Sequence, residues 1–360
     1  MTPLVSILIA AYDAEDTIAY TLGSAIGQTW QRKEIIVVDD GSTDRTAEVV
    51  RQFKDVTLMS TENRGLSGAE NHALRFSQGD YIQYLDADDL LAPDKIERQL
   101  AALHESGSRR VLASSPWAPF YYRTRHSRFV RNSLWQDLSP VEWLLRKMTE
   151  NIHMQTATWL VSREVAKAAG PWDTRLHFDQ DGEYFCRVLL ASEGTRFVPG
   201  TGMYYRATGG KQISYIGNSD KKKESLLLSM RLHIQYLRSL EESERVRKAS
   251  LAYIQTWYRN FYPERADLVQ EAQQLAAMLG GRLETPKLPW KYLWIQKLFG
   301  WRAAKQVRQR WNQYKLSVKR SWDKSLFLLE GGTRKRIETA AELGTTLGRE
   351  QGHPRRKDAG

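Results

Sequence analysis

Tyr81-Ile82-Gln83-Tyr84-Leu85 runs straight into Asp86-Ala87-Asp88-Asp89, an apolar strand that ends in a cluster of acids. At the carboxyl end of a strand in an open α/β sheet, such carboxylates face the crevice where these folds bind ligands. Asp86 and Asp88, one residue apart, can hold a hard divalent cation that neutralises the phosphates of a nucleotide. On this segment alone there is a plainer reading, in which Asp89 or Asp94 caps the helix that follows.

The residues upstream decide between the two. Val5-Ser6-Ile7-Leu8-Ile9-Ala10 has a buried-strand pattern, then Ala11-Tyr12-Asp13 and a helix from about Asp16 to Thr29. A second strand, Glu34 to Val38, ends in Asp39-Asp40-Gly41-Ser42-Thr43-Asp44, where Thr43 or Asp44 can cap a helix through Val50 and Phe53. Val56 to Met59 reads as a third strand, Leu66 to Gln78 as a helix, and Tyr81 to Leu85 as the fourth strand. Short connections between alternating strands and helices imply right-handed βαβ crossovers and a mainly parallel sheet. Every polar cluster then falls on one edge of that sheet.

Four blocks in register carry a resemblance: the first strand with Ala11-Tyr12-Asp13, Val37 to Asp44, Asn63-Arg64-Gly65-Leu66-Ser67 with Asn71, and Asp86-Ala87-Asp88. Residues 4 to about 216 resemble a family 2 glycosyltransferase of the GT-A fold. The resemblance implies an α/β, Rossmann-like central sheet with helices on both faces, followed here by a basic helical extension. It also implies transfer of a sugar from a nucleotide diphosphate to a hydroxyl, with inversion at the anomeric carbon. By its family positions the nucleoside falls to Ala10, Tyr12, Asp40, Arg64 and Asp86, and the metal, Mn²⁺ or Mg²⁺, to Asp88 with Asp86. A phenol face such as Tyr12 can stack on a base. Asp40 can accept from the imide N–H of uracil, which puts UDP first among the donors.

A second constellation follows at Gly170-Pro171-Trp172-Asp173 and His177-Phe178-Asp179-Gln180-Asp181-Gly182-Glu183, with Arg187 beyond. The family has an acidic pair here opening a helix, and its base maps to Asp181. An inverting displacement needs such a carboxylate within hydrogen-bond reach of the acceptor hydroxyl. A helix N-terminus would keep it ionised. Gln180 stands where the family usually has the first acid, which leaves Asp179 and Glu183 as rival bases and an N-cap as the plain reading of Asp181. His177 beside these acids reads as a hydrogen-bonded loop histidine rather than a ligand. Arg206 and Lys211, around the Gly209-Gly210 pair, are candidate clamps for the diphosphate. Trp117, His153 and Trp159 are candidates to face the acceptor.

Charge divides the chain. From Lys221 onward there are 29 Lys+Arg against 14 Asp+Glu, a net +15, whereas the part before it carries −4. The predicted layout is a catalytic domain over 1–220, a helical extension over 221–284, basic Trp-rich amphipathic helices over 285–343 and a disordered tail over 344–360. The extension reads as three helices broken near Glu241–Ser243 and at Tyr262-Pro263. Trp290, Leu293, Trp294, Leu298 and Trp301 then share one helical face beside many cations. Either a helix on anionic lipid over 290–322 or a helix packed on the catalytic domain fits that pattern. No recognition motif supports nucleic acid as the partner.

The single Cys186 excludes an internal disulfide, no signal peptide opens the sequence, and no apolar stretch approaches the roughly 20 residues of a spanning helix. A cytoplasmic enzyme, peripheral on the cytosolic membrane face, is the expectation. Its acceptor would be a glycan or lipid-linked saccharide of the cell surface. Two alternatives also fit: an inactive sugar-nucleotide-binding scaffold with a basic membrane-binding tail, and a nucleotidyltransferase. The second lacks its Gly-rich phosphate loop after the first strand.

Overall fold

The computed structural model describes residues 2–207, 216–217 and 219–330. Lys211, Gly209, Gly210 and the 344–360 tail lie outside the described residues. The chain opens β1 (Val5–Ala11), α1 (Ile18–Ile26), β2 (Lys33–Asp39), α2 (Thr46–Val50), β3 (Thr57–Ser60), α3 (Leu66–Phe76) and β4 (Tyr81–Tyr84). It continues with β5 (Leu90–Leu91), α4 (Lys95–Ser106), β6 (Val111–Ser114), β7 (Trp117–Phe120), α5 (Pro140–Glu150), β8 (Val161–Ser162) and α6 (Arg163–Ala169). Then come α7 (Gln180–Leu190), β9 (Gly194–Phe197), β10 (Met203–Arg206), α8 (Asp220–Leu240), α9 (Glu244–Tyr258), α10 (Ala266–Met278) and α11 (Leu293–Leu329).

The main sheet has the order β3-β2-β1-β4-β8, parallel except for β8. Strand alternation sorts its side chains onto two cores. Ile7, Ile9, Ile35 and Val37 face α1 and α4, while Leu8, Ile36, Val38 and Tyr84 face α3, α5 and α7. The second core runs on without a break into α8, α9 and α10 through Leu226, Met230, Ile234, Val246 and Tyr253. The helices of 221–284 are therefore packed as a back wall of the sheet domain. Each such apolar side chain contributes about 1.5–3 kcal/mol when fully buried.

The order reverses between β1 and β4, and the site opens there. β1 stays paired with β2 as far as Ala11↔Asp39, but its register with β4 stops at Leu8↔Tyr84. Beyond that point the two strands part, leaving a notch between Ala10 and the Asp86 loop.

Candidate active site

The loop after β1 is fastened from the loop after β2. Asp13 Oδ1 accepts from the Thr43 N–H at 2.8 Å, Ser42 Oγ accepts from the Asp13 N–H at 3.0 Å, and Asp44 Oδ2 accepts from the Glu15 N–H at 3.0 Å. Asp44 also holds the Thr46 N–H at 2.8 Å and so stitches the two loops, while the N-cap of α2 is Arg45, without a side-chain capping bond, in place of the expected Thr43 or Asp44. Held this way, Tyr12 stands 52 % exposed with its ring free to stack.

Asp40 is buried and binds its own scaffold. Its Oδ1 accepts from the Arg64 N–H at 2.7 Å and its Oδ2 from the Gly65 N–H at 2.8 Å. It therefore shapes the Arg64–Gly65 turn, and a base N–H would share an oxygen already in use; a carboxylate has about four lone-pair sites. Arg64 itself is exposed at that turn.

The acid loop is stabilised from behind. Asp89 is buried and accepts from the Arg206 N–H at 2.8 Å; Asp94 accepts from Thr201 Oγ at 2.7 Å and pairs with Arg98. Asp94 occupies the N-cap position of α4 as the plain reading has it, but its side chain makes no capping bond there, and Asp89 does not cap the helix. Arg206 turns inward. Its Nε donates to the Asp88 carbonyl at 2.7 Å, its Nη1 to the Tyr121 carbonyl at 3.0 Å, and its guanidinium lies 4.4 Å from the Phe120 ring centre. The diphosphate clamp expected of Arg206 is thus replaced by a brace under the Asp88 loop, because burial commits its donors to protein carbonyls.

Several acids, Asp86, Asp88, Asp89 and Asp181 among them, gather around this edge. Burial, reinforced by the charges of Asp88 and Asp181, pushes Asp86 up to about 7. Burial raises Asp88 as well, against the pull of Arg206, and it raises Asp181, where the Asp179 charge adds to it. The field between Asp86 and Asp181 brings together two motifs some 95 residues apart. At Asp181 desolvation outweighs the helix N-terminus, so the carboxyl is raised rather than lowered.

Around Asp181 the rivals are already engaged. Glu183 is buried, bound by Arg187 at 2.6 and 2.8 Å and by the Tyr236 hydroxyl at 2.7 Å. Asp179, with φ 61°, takes the Ser229 hydroxyl and lies 3.8 Å from His233, whose ring burial lowers to about 3. Gly182 is required beside it, because a Cβ there would meet Asp179 Oδ1 at 2.1 Å. The helix begins at Gln180, so Asp181 sits inside its first turn and is not its N-cap. Asp181 keeps the Gly182 N–H as support and feels the charges of His153 and Lys147, with no ion pair among the described residues. Sequence alone misses this wall of α8, since Ser229, His233 and Tyr236 read as ordinary helix positions. His177 is tied by its N–H to Ser225 Oγ at 2.9 Å, as a loop histidine.

Trp117, read as an acceptor candidate, stacks on His153 at 5.6 Å, and His153 feels both Asp181 and Asp179. Trp159 is a correction: it is fully buried between Phe185 and Trp143 and belongs to the core. Asn71 binds the Trp172 backbone at both ends, 2.7 and 2.9 Å, and so ties α3 to the turn that leads into Asp179–Asp181. Glu70, beside it, is not singled out by the sequence motifs. It is fully buried, neither carboxylate oxygen has a hydrogen-bond partner among the described residues, and burial with the Asp86 charge holds it well above the usual carboxylate range. Its place among Ser67, Ala69 and Ala73 on the buried face of α3 was the available signal.

A glycosyl transferase family 2 model matches residues 6–168. The chain carries a family 2 glycosyltransferase domain. A UDP-Glc:alpha-D-GlcNAc-diphosphoundecaprenol beta-1,3-glucosyltransferase, WfaP of Escherichia coli, is 44% identical over 100 residues, 27% of this chain and 40% of that protein. The putative teichuronic acid biosynthesis glycosyltransferase TuaG of Bacillus subtilis is 38% identical over 108 residues, 29% of this chain and 43% of its own length. The chain thus spans under half the length of these relatives. The structure of S. aureus TarS 1–349 in complex with UDP-GlcNAc superposes with a TM-score of 0.61 at 17% identity, over 77% of this chain and 81% of that one. The fold is GT-A.

A divalent cation fits the acid loop. The carboxylates are crowded, burial pushes Asp86 up to about 7, and an Asp89 oxygen is buried without a hydrogen-bond partner among the described residues. Among the described residues no group of three or more His, Cys, Asp or Glu is arranged to ligate a metal. Protein would therefore supply two ligands and the rest would come from substrate oxygens and water, as is usual for Mg²⁺.

Proposed function

We propose that this family 2 glycosyltransferase domain transfers a sugar from a nucleotide diphosphate, UDP first among them, to a hydroxyl of a lipid-linked or polysaccharide acceptor with inversion. The observation that carries the reading is the convergence of Asp86, Asp88 and Asp181 at the β1/β4 edge. WfaP, by name a UDP-Glc-dependent enzyme acting on a diphosphoundecaprenol acceptor, and TarS, seen with UDP-GlcNAc, support the donor class.

In this reading Tyr12 stacks on the base, with Ala10 backbone, Asp40 and Arg64 along the nucleoside. Mn²⁺ or Mg²⁺, held by Asp88 and Asp86, would supply charge neutralisation for the departing diphosphate. Asp181 takes the proton of the acceptor hydroxyl, and its raised pKa makes it a stronger base than a solvated carboxylate. Asp179 and Glu183 hold the first turn of α7 in place through Ser229, Arg187 and Tyr236. Trp117 and His153 flank the approaching acceptor. Lys211 remains the cation assigned to the diphosphate.

Calorimetric titration of UDP with Mn²⁺ and with EDTA tests the donor site. Binding that needs the metal and disappears in Asp88→Asn is the expected result; absence of binding by UDP and by GDP, CDP and dTDP alike would overturn it.

A further inference from the structure

From Arg310 to Lys319 every residue of α11 is exposed. A helix span with no packed face needs a partner for its apolar side chains. Here those side chains form one line. Val307, Trp311, Tyr314, Val318 and Trp322 recur at intervals of three and four and are 43–68% exposed. Arg308, Lys315 and Lys319 border the line on one side and Arg310 on the other, while the Lys324 ammonium lies 5.9 Å from the Tyr122 ring centre on the docked side. Lys315 also lies 5.3 Å from the Trp311 ring centre.

Both ends of this span are tied down. Near the kink at Gly300, whose φ is 82°, Lys305 Nζ binds Glu264 at 2.7 Å and the Tyr262 carbonyl at 3.0 Å. At the far end Asp323 accepts from the N–H groups of Tyr122 and Arg123 at 2.9 and 3.2 Å and from Arg123 Nε at 2.7 Å. Glu330 binds Arg123 at 2.8 Å and also Arg125, while Phe327 lies on Tyr122. At about 100° per residue, Asp323, Phe327 and Glu330 lie roughly 150° around the helix from the apolar line. Docking on the 122–125 loop therefore turns that line outward.

We propose that the outward line of α11 is a docking surface for an anionic lipid bilayer. Between Trp290 and Glu330 there are ten Lys+Arg and two Asp+Glu. Both acids are spent on the 122–125 loop, so none is left to pair with a like-charged copy of the helix. A second copy would bring cation against cation along both flanks. Tryptophans bordered by cations match the boundary between acyl chains and anionic headgroups. The 122–125 anchor also continues into the donor site, since the Tyr121 carbonyl takes the Arg206 guanidinium that braces Asp88. A bilayer docked on α11 is thereby held in fixed relation to the acid loop, where a lipid-linked acceptor would be used. The surface proposal itself stands without the glycosyltransferase reading.

Co-sedimentation of the full chain with vesicles tests it. Phosphatidylglycerol–phosphatidylcholine vesicles should carry the protein down, phosphatidylcholine alone should not, and added salt should release it. Trp311→Glu with Trp322→Glu, and separately Lys315→Glu with Lys319→Glu, should each weaken binding by about tenfold or more. Circular dichroism and UDP titration should be unchanged, which keeps this result apart from failure of the donor site. Equal binding to both vesicle types, or undiminished binding by both double variants, would overturn the proposal. So would a concentration-dependent oligomer that the Trp variant abolishes, because a second copy would then be the occupant.

Discussion

The Asp86–Asp89 loop and the helix α11 both carry charge of one sign, but in opposite surroundings. In the loop, desolvation brings the acids up, Asp86 to about 7, and their repulsion is expressed at full strength. Along α11 the cations stand in water, where salt screens them over roughly 8–10 Å. Burial thus concentrates negative charge in one compact loop, whereas exposure spreads positive charge along the helix. Two acids break the pattern of the helix, and both are used to anchor it on the domain that holds the loop.

The largest expected effect is at the buried end. Asp181→Asn should lower turnover by about 10²–10⁴-fold while leaving UDP binding near wild type, since general-base catalysis contributes on that scale. Glu183→Gln should also cost activity, but with loss of stability, because it leaves Arg187 half-buried and unpaired; thermal denaturation beside the UDP-release assay separates the two. Next comes Asp323→Ala, which frees the far end of α11. It should leave vesicle binding within about twofold, yet lower turnover on a membrane-borne acceptor more than on a soluble one. Equal losses on both acceptors would separate the helix from the site.

The smallest expected effect is on the metal-free protein. A carboxyl whose folded pKa lies above its unfolded value binds more protons when folded, so its contribution to stability falls as pH rises from about 4 through 7. Asp86→Asn should therefore raise the metal-free melting temperature by about 2–4 °C at pH 8 and not at pH 4. Differential scanning calorimetry at the two pH values checks the sign.

The sheet half of the site was legible because it is local: each cluster follows its strand, and period-two alternation marks which strands are buried. The supports of Asp181 were not, because they arrive from α8, some 50 residues on, through hydroxyls of Ser229 and Tyr236 that look like any helix polar residue. Arg206 misled for a related reason. A cation after the closing strand looks available, and only burial under Phe120 and the Asp88 carbonyl shows its donors taken. In the basic helices the face read from Trp290, Leu293, Trp294, Leu298 and Trp301 divides: the first four are exposed, while Trp301 packs with Leu288, Tyr292 and Ile295. The expectation of a lipid-facing or packed helix could not be divided from sequence, since both faces carry apolar residues. Among the described residues no helix is long and apolar enough to cross a membrane.

The most direct measurement is the pH dependence of Mn²⁺-supported UDP binding by calorimetry. A proton competes with the cation for Asp86 below its pKa, so affinity should rise as pH passes upward through about 7 and level off above it. Asp86→Asn should bind weakly and lose that step. Affinity that stays flat from pH 5.5 to about 8.5 would contradict a crowded, desolvated acid loop as the place where the donor is held.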